Sequence, residues 1–452
     1  MIHAGTSQPS RSNWTFMVRA LRYPNYRLFF GGQIVSLAGS WMTITATSWL
    51  VFRLTGSAKM LGLIGFAGQA PAVLLTPLAG IAVDRWNQHR LLMATQVASM
   101  LQSFALAALV FTGRMTIPAL IALSALQGLI NAFDMPCRQS FVISLIENKE
   151  DMANAIALNS SMFNFARIAG PAAAGFVIAA GGEGWCFAAD GLSFFAVLLA
   201  LAAMTVAPRA PRPAKEAGAL AELKEGWRYL IGSVPIRTII TLLAAVCLVG
   251  VPYAVLIPIF AGKVLGGGPH MLGLLMTASG TGALFAAVWL ASLRSIAALG
   301  RSMLGATAGF GAALIAFGLC RVPWLSCVLL VAAGFGFMLL MAASNTIVQT
   351  IVDEDKRGRV ISFLMLAILS TAPLGGLVVG LIADRLGAPR TVALEGAAIL
   401  LVAAWFSRRL AEFHAAVRPI YARMGLLPET AGEAAAPMGR VATSSSRPEP
   451  RA

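Results

Sequence analysis

Residues 208–235 read PRAPRPAKEAGALAELKEGWRYLIGSVP. Pro208, Pro211 and Pro213 crowd its start, and Arg209, Arg212, Lys215, Lys224 and Arg228 outnumber Glu216, Glu222 and Glu225. Such a segment cannot cross a bilayer, because even a lenient insertion scale charges ~2.5–3.5 kcal/mol for one ionised side chain at mid-membrane. On either side run long, nearly uncharged apolar stretches, each sufficient for six spans of ~20 residues. The chain therefore reads as an N-terminal segment (1–27), a six-span unit (28–207), a polar linker (208–235), a second six-span unit (236–406) and a tail (407–452).

Composition supports this division. Of 452 residues, 58% are hydrophobic and 12% charged, whereas a soluble domain is about a quarter charged. The fold class expected is an all-α integral membrane protein with twelve transmembrane helices. A net charge of +15 raises the question of nucleic acid, but the placement of the charge answers it. Apart from Arg167, the Lys and Arg side chains concentrate on the linker's side, and only Arg53, Lys59, Arg114, Lys263, Arg321, Arg385 and Arg390 flank the spans on the other. Because cytoplasmic loops retain basic residues, this asymmetry predicts a cytoplasmic linker and cytoplasmic termini in a plasma membrane, with no nucleic-acid partner.

The spans fall at roughly 28–52, 60–83, 91–112, 116–138, 153–180 and 185–207, then 236–261, 271–293, 302–320, 325–351, 360–383 and 389–406. Residues 13–22 alternate apolar and basic side chains, as a surface-lying helix would. No cleavable signal is evident, so the first span is expected to act as the targeting signal. The tail, rich in Ala, Pro, Ser and Arg, reads as disordered. Cys137, Cys186, Cys247, Cys320 and Cys327 show no metal spacing and read as small buried hydrophobes, with a Cys320–Cys327 disulfide left open.

The two units echo each other. Lys59-Met60-Leu61-Gly62 enters the second span as His270-Met271-Leu272-Gly273 enters the eighth, and Pro171 with Gly175 in the fifth corresponds to Pro373 with Gly375 and Gly376 in the eleventh. Parallel six-span repeats are one architecture of secondary transporters.

Gly80-Ile81-Ala82-Val83-Asp84-Arg85, with Arg90 following, resembles the loop between the second and third helices of the major facilitator superfamily. Asp134-Met135-Pro136-Cys137-Arg138-Gln139, Asn154 through Asn159 and Arg167-Ile168-Ala169-Gly170-Pro171 resemble its enterobactin-exporter-like branch of transmembrane secretion effectors, as do Pro252-Tyr253, Ile257-Pro258 and Ala278 through Ala283. The resemblance spans residues 14–406 and implies a twelve-helix bundle alternating between inward-open and outward-open states. It departs from the family at Asn87, Gln88 and His89, which replace a glycine and basic residues; Asn tolerates the left-handed backbone a glycine would supply there. The matching loop of the second half, Arg294 to Arg301, has no acid.

Polar residues inside a span face the bundle interior or a wet cavity. Gln33, Ser36, Ser40, Thr43 and Thr47 form one stripe on the first span, Gln127, Asn131, Asp134 and Arg138 one on the fourth, and Ser160, Asn164 and Arg167 one on the fifth. The resemblance implies that the first and fourth helices line the central pathway; interhelical hydrogen bonding is the competing explanation. Arg167 lies roughly 21 Å of helical rise into its span. Its guanidinium suits an anionic or carbonyl-rich substrate, a buried carboxylate, or a structural pair. Asp190 and Glu395, at corresponding places in the sixth and twelfth spans, are candidate proton carriers, with hydration in the outer interfacial layer as the alternative.

The resemblance further implies a gate in which Asp84 meets a helix N-terminus of the other half and Arg85 pairs with Asp134, beside Gly80 and Arg138. Gly170, Pro171 and Gly175 resemble a helix-five signature of antiporters, a hinge that tilts the reading toward export. No phosphate-binding glycine loop, nucleophile elbow or intramembrane histidine occurs, so no ATP engine, metal centre or enzyme chemistry is expected. The function expected is a proton-coupled exporter of a small organic molecule, siderophore-like or drug-like, acting as a monomer in the lipid bilayer without a cofactor beyond the proton gradient. A facilitator or importer, and a non-transporting scaffold or sensor, are the alternatives.

Overall fold

A computed structural model describes residues 18–204, 227–292, 299–354 and 356–424, without the side chains at 77–78, 81–82, 84–85, 149 and 423. Among the described residues, twelve helices are long and apolar enough to cross a membrane. They are α1 (Pro24–Thr55), α2 (Ala58–Arg85), α3 (Gln88–Phe111), α4 (Ile117–Ser144), α5 (Lys149–Gly181) and α6 (Glu183–Ala203). In the second half come α7 (Val234–Val264), α8 (Gly268–Ser292), α9 (Leu299–Leu319), α10 (Pro323–Ile351), α11 (Arg357–Leu386) and α12 (Ala388–Arg423). All twelve expected spans correspond to these, most of them extended by a few residues at their polar ends. The central part of the linker (205–226), the loop 293–298, most of the N-terminal segment and the tail beyond 424 lie outside the described residues.

The internal repeat is visible in the packing. In the first half the main neighbours are α1 with α5 and α6, α2 with α4, and α3 with α4 and α6. Adding six to each number gives the second half: α7 with α11 and α12, α8 with α10, and α9 with α10 and α12. The two bundles then meet through α2 against α11 and α5 against α8, which the same shift interconverts.

Local chemistry sets the ends. Gly56 closes α1 in a left-handed conformation (φ +59°), its N–H returning to the Phe52 carbonyl at 2.7 Å. Thr116 caps α4 by accepting from the Ala119 N–H. Asn87 caps α3 by accepting from the Arg90 N–H at 3.1 Å, with φ of −66°. The sequence suggested that Asn87 stands in for a left-handed glycine; its backbone is extended, and it serves as an N-cap. Within α7 the helix ends at Val249 and resumes at Tyr253, because Pro252 brings no N–H to continue the ladder. Pro258 likewise donates nothing to the preceding turn, and the helix runs on as a π turn over Phe260–Val264.

Two boundaries differ from expectation. Helix α12 does not stop near Ser407 but continues to Arg423. Phe413, Val417 and Tyr421 recur every four residues, are buried, and belong to the same apolar cluster as Leu299 and Met303 of α9, so the start of the expected disordered tail is a docked amphipathic helix. The last residues of the linker are docked too: Leu230 is buried, the Trp227 ring packs on Phe363, and the Tyr229 hydroxyl donates to Asp353. Of residues 13–22, expected to lie along the membrane, 13–17 lie outside the described residues, and Arg19–Arg22 form a 3-10 turn fastened to α5. Its Arg19 and Arg22 guanidinium groups and the Tyr23 hydroxyl converge on Asp151, which is 1% exposed, and the Ala20 N–H donates to Asn154.

Candidate functional site: an inter-bundle crevice and a polar core beside it

Helix alternation gives the molecule two ends, one carrying the described chain termini and one opposite. The close approaches that join the bundles among the described residues lie in the half toward the opposite end. Gly62 on α2 faces Gly376 and Gly380 on α11, where an added Cβ would stand 2.5 Å from the Gly376 carbonyl oxygen. Gly273 on α8 faces Pro171 and Gly175 on α5, where a Cβ would stand 2.7 Å from the Pro171 carbonyl oxygen. These are the two glycines of the repeated Met-Leu-Gly run, each making the same helix crossing on one side of the pseudo-symmetric pair. Small residues permit backbones to approach this closely.

Polar contacts reinforce that closure. Lys263 donates to the Gly56 carbonyl at 2.8 Å with its ammonium over the Phe52 ring, and Ser57 donates to Asp384 at 2.9 Å. Deeper in, Thr45 meets the Met276 sulfur at 3.6 Å and Thr277 donates to the Ile168 carbonyl at 3.2 Å. Further toward the terminal end the pattern ceases: Gly80 and Gly358 have no atom near a hypothetical Cβ. The bundles thus form a V whose crevice opens at the end that holds the termini.

Arg167 stands where the crevice is deepest. Its backbone carbonyl lies 3.3 Å from a Cβ placed on Gly280, the last of the inter-bundle approaches. Across from it, Tyr253 at the restart of α7 is within electrostatic range of both Arg167 and Glu395, its hydroxyl 2.9 Å from Ser279. No hydrogen bond or ion pair joins the Arg167 guanidinium to a described residue, which disfavours the structural-pair explanation. Asn164, one turn away, donates to the Ser160 carbonyl of its own helix.

The stripe on α1 is a single face, as its spacing requires, but it is turned toward α6. Gln33 and Ser36 are buried, Gly32 packs on Ala196, Val197 and Ala200, and Gly39 on Asp190 and Ser193. In this state Gln33 and Ser36 are covered within their own bundle, while Ser40, Thr43 and Thr47 are half-buried. What they face is Asp190, 3% exposed, which accepts from Thr43 at 2.9 Å, from Ser103 on α3 at 2.8 Å and from Ser40 at 3.5 Å. Hydration in an outer interfacial layer does not describe this carboxylate. Glu395, its counterpart in the repeat, is 4% exposed, and neither of its oxygens has a hydrogen-bond partner. Equivalent positions therefore hold two different environments.

Toward the terminal end, Asp134 is buried and fully engaged. One oxygen accepts from Thr95 at 2.8 Å and Gln96 at 2.7 Å, and the other pairs with Arg138 one turn along the same helix. The side chains of Asp84 and Arg85 lie outside the described residues, so the expected Arg85–Asp134 pair has no described geometry. Gln127 donates to Ser99 and to Asn131. Of the hinge residues, Gly170 packs inside its bundle against Ala38 and Trp41 of α1, whereas Pro171 and Gly175 form the crossing with α8.

Several groups escaped the sequence reading. Thr95, Gln96, Ser99, Gln102 and Ser103 make a buried polar stripe along α3, and their recurrence at three and four residues was a signal equal to that on α1. Arg53 forms a two-point ion pair with Glu183 at 2.8 and 3.0 Å, tying α1 to the start of α6. Lys263 and Asp151 read as ordinary loop and helix-start charges, and nothing local distinguishes them. The cysteines are all free, with Cys320 donating to the Val322 carbonyl instead of bridging Cys327.

Comparison with known proteins places this architecture. The chain is 25% identical over 379 residues to the staphyloferrin A transporter of Staphylococcus aureus, covering 83% of this chain and 94% of that protein. It is 29% identical over 420 residues to the multidrug efflux pump Tap of Mycolicibacterium fortuitum, covering 89% and 100%. Among solved structures, a bacterial homologue of the lysosomal transporter Spinster, inward-facing and occupied, superposes with a TM-score of 0.65 at 16% identity over 88% of this chain and 97% of that one. A bacterial homologue of the iron transporter ferroportin, inward-facing, gives 0.65 at 17% identity over 86% and 99%. Residues 17–423 match the family described as transmembrane secretion effector, and the chain belongs to that family of the major facilitator superfamily.

Proposed function

We propose that this protein exports a small organic molecule, siderophore-like or drug-like, across the plasma membrane in exchange for protons, working as a monomer with both termini in the cytoplasm. That it is a multi-pass membrane transporter and not an enzyme follows from its family. The observation that carries the finer reading is Arg167: a cation at the base of a crevice, without an ion pair among the described residues and opposite Tyr253 and Ser279. A guanidinium in that position offers a planar fork of donors to a carboxylate, hydroxamate or carbonyl oxygen, and a bilayer interior tolerates such a cation only where it lines a cavity or finds a partner. The name of one relative, a multidrug efflux pump, supports an export direction, and the basic charge at the terminal end supports its cytoplasmic placement under the positive-inside rule.

In this mechanism substrate enters the crevice from the terminal end and engages Arg167. The bundles then rock about the α2–α11 and α5–α8 crossings, and release follows on the other side. Asp190 and Glu395 are the proton-carrying candidates, and the gate at Asp84, Arg85, Asp134 and Arg138 would hold the opposite state. The test is flux of a substrate panel, carboxylate- and hydroxamate-bearing chelators and drug-like carbonyl compounds, into inverted vesicles with an imposed proton gradient, with and without an uncoupler. Arg167→Ala at equal membrane abundance is expected to abolish gradient-driven flux; wild-type flux would overturn the role of Arg167, and flux indifferent to the uncoupler would replace exchange with facilitated diffusion.

A further inference from the structure

The buried stripe on α3 is too polar and too continuous to be packing alone. It starts at Asp190, whose hydroxyl partners are Ser40, Thr43 and Ser103. Ser103 also reaches Gln102 at 3.5 Å. One turn on, Ser99 meets Gln127, which meets Asn131. A further turn brings Thr95 and Gln96, both donating to Asp134, whose other oxygen holds Arg138. From Ser103 to Thr95 the rise is about 12 Å, and the Arg138 side chain at the end of the file is a quarter exposed at the terminal end.

Orphan atoms lie beside the same file. Gln33 is 0% exposed and both of its amide atoms lack a protein partner, as does the side-chain oxygen of Gln96. Gly32 packs on Ala196 to Ala200 and His89 on Leu201, so Gln33 on α1 and Gln96 on α3 stand at about the same depth of α6. Buried polar groups without protein partners are the groups that internal water satisfies.

We propose that protons move between Asp190 and the terminal end through the interior of the N-terminal bundle, along the hydroxyls of Ser103, Ser99 and Thr95 and the waters between them, and not through the crevice. The route deepens the proposed proton-exchange reading and rests on it. Each relay hydroxyl accepts one proton on its oxygen and releases its own to the next. One proton thus passes from the Asp190 carboxyl to solvent beyond Asp134 and Arg138, leaving the relays unchanged. The ionisable groups on the surrounding elements are few. On α6 they are Cys186 and Glu183, the latter paired with Arg53 of α1; α3 carries none between Arg90 and Phe111; α5 carries Arg167, within electrostatic range of Tyr253. Separating this path from Arg167 would let substrate and proton occupy the protein without sharing a cavity.

The measurement is time-resolved infrared spectroscopy of the purified full chain after a pH jump, following the carboxylic acid band identified by its loss in Asp190→Asn. Ser99→Val is expected to slow the rise of that band about tenfold or more, since it removes a relay from a step whose rate falls steeply with each lost hydrogen-bonded partner. Ser99→Thr, which keeps the hydroxyl, should restore the rate. Wild-type kinetics in Ser99→Val would overturn the route, and so would slowed kinetics in both variants, which would report packing. No Asp190 band in the wild-type protein would overturn the route together with the proton role of Asp190. Substrate-panel flux under a gradient tests the transport reading separately.

Discussion

If the α5–α8 crossing holds the end opposite the termini shut, a single methyl group placed there should open it. Gly273→Ala puts a Cβ 2.7 Å from the Pro171 carbonyl oxygen and 3.0 Å from the Gly175 Cα. Both are backbone atoms of the facing helix, which cannot swing aside as a flexible side chain could. Overpacking of this kind costs roughly 1–3 kcal/mol. Because the crossing joins different bundles and comes apart when that end opens, the cost falls on the closed state alone. At 1.4 kcal/mol per tenfold, the closed-to-open ratio should fall by about 5- to 150-fold. The reporter is Thr45→Cys, a buried position between the bundles, probed from the far side with an impermeant maleimide in a background without native cysteines. Gly273→Ala should raise its labelling. The control is Gly65→Ala on α2, where a Cβ meets nothing within 4 Å, and labelling should not change. Equal labelling in Gly273→Ala and wild type, at equal abundance, would show that the glycine approach is not what holds this end closed.

Lys263→Met removes the donor to the Gly56 carbonyl while keeping a chain that covers Phe52; it should move Thr45→Cys labelling in the same direction by at most about fivefold, since an exposed charged contact contributes up to about 1 kcal/mol. Asp151→Asn weakens the anchor shared by Arg19, Arg22 and Tyr23, and should expose the N-terminal segment to trypsin at Arg19 and Arg22 faster than in the wild-type protein.

The span count and the repeat were legible because hydropathy and glycine position are local properties of the chain. Even so, the meaning of Gly62 and Gly273 needed the structure: the repeated run says that two places are alike, and only the fold says that each is a crossing between bundles. The stripe on α1 was found from its period, yet period cannot say which neighbour a helical face meets. Ser40 and Thr43 were assigned to a cavity, and in this structure both donate to Asp190. The α3 stripe, Thr95, Gln96, Ser99, Gln102 and Ser103, carried the same periodic signal. The helical continuation to Arg423 was hidden because Arg408, Arg409 and Arg418 mark a polar surface, while the anchors Phe413, Val417 and Tyr421 are spaced for a helix packed on one side only.

The contrast between Asp190 and Glu395 bears on how the halves divide the work. A repeat built by duplication starts with equal surroundings, and the six-shift in packing shows that the backbone has kept that equality. The side chains have not. Around Asp190 the neighbouring helices supply Ser40, Thr43 and Ser103; among the described residues none donates a hydrogen bond to the Glu395 carboxyl. An ionised carboxylate needs donors in low dielectric, and only the first site provides them. The N-terminal bundle therefore offers its carboxyl group hydroxyl donors that the described residues around Glu395 do not. Proton exchange is then expected to reside in the first bundle.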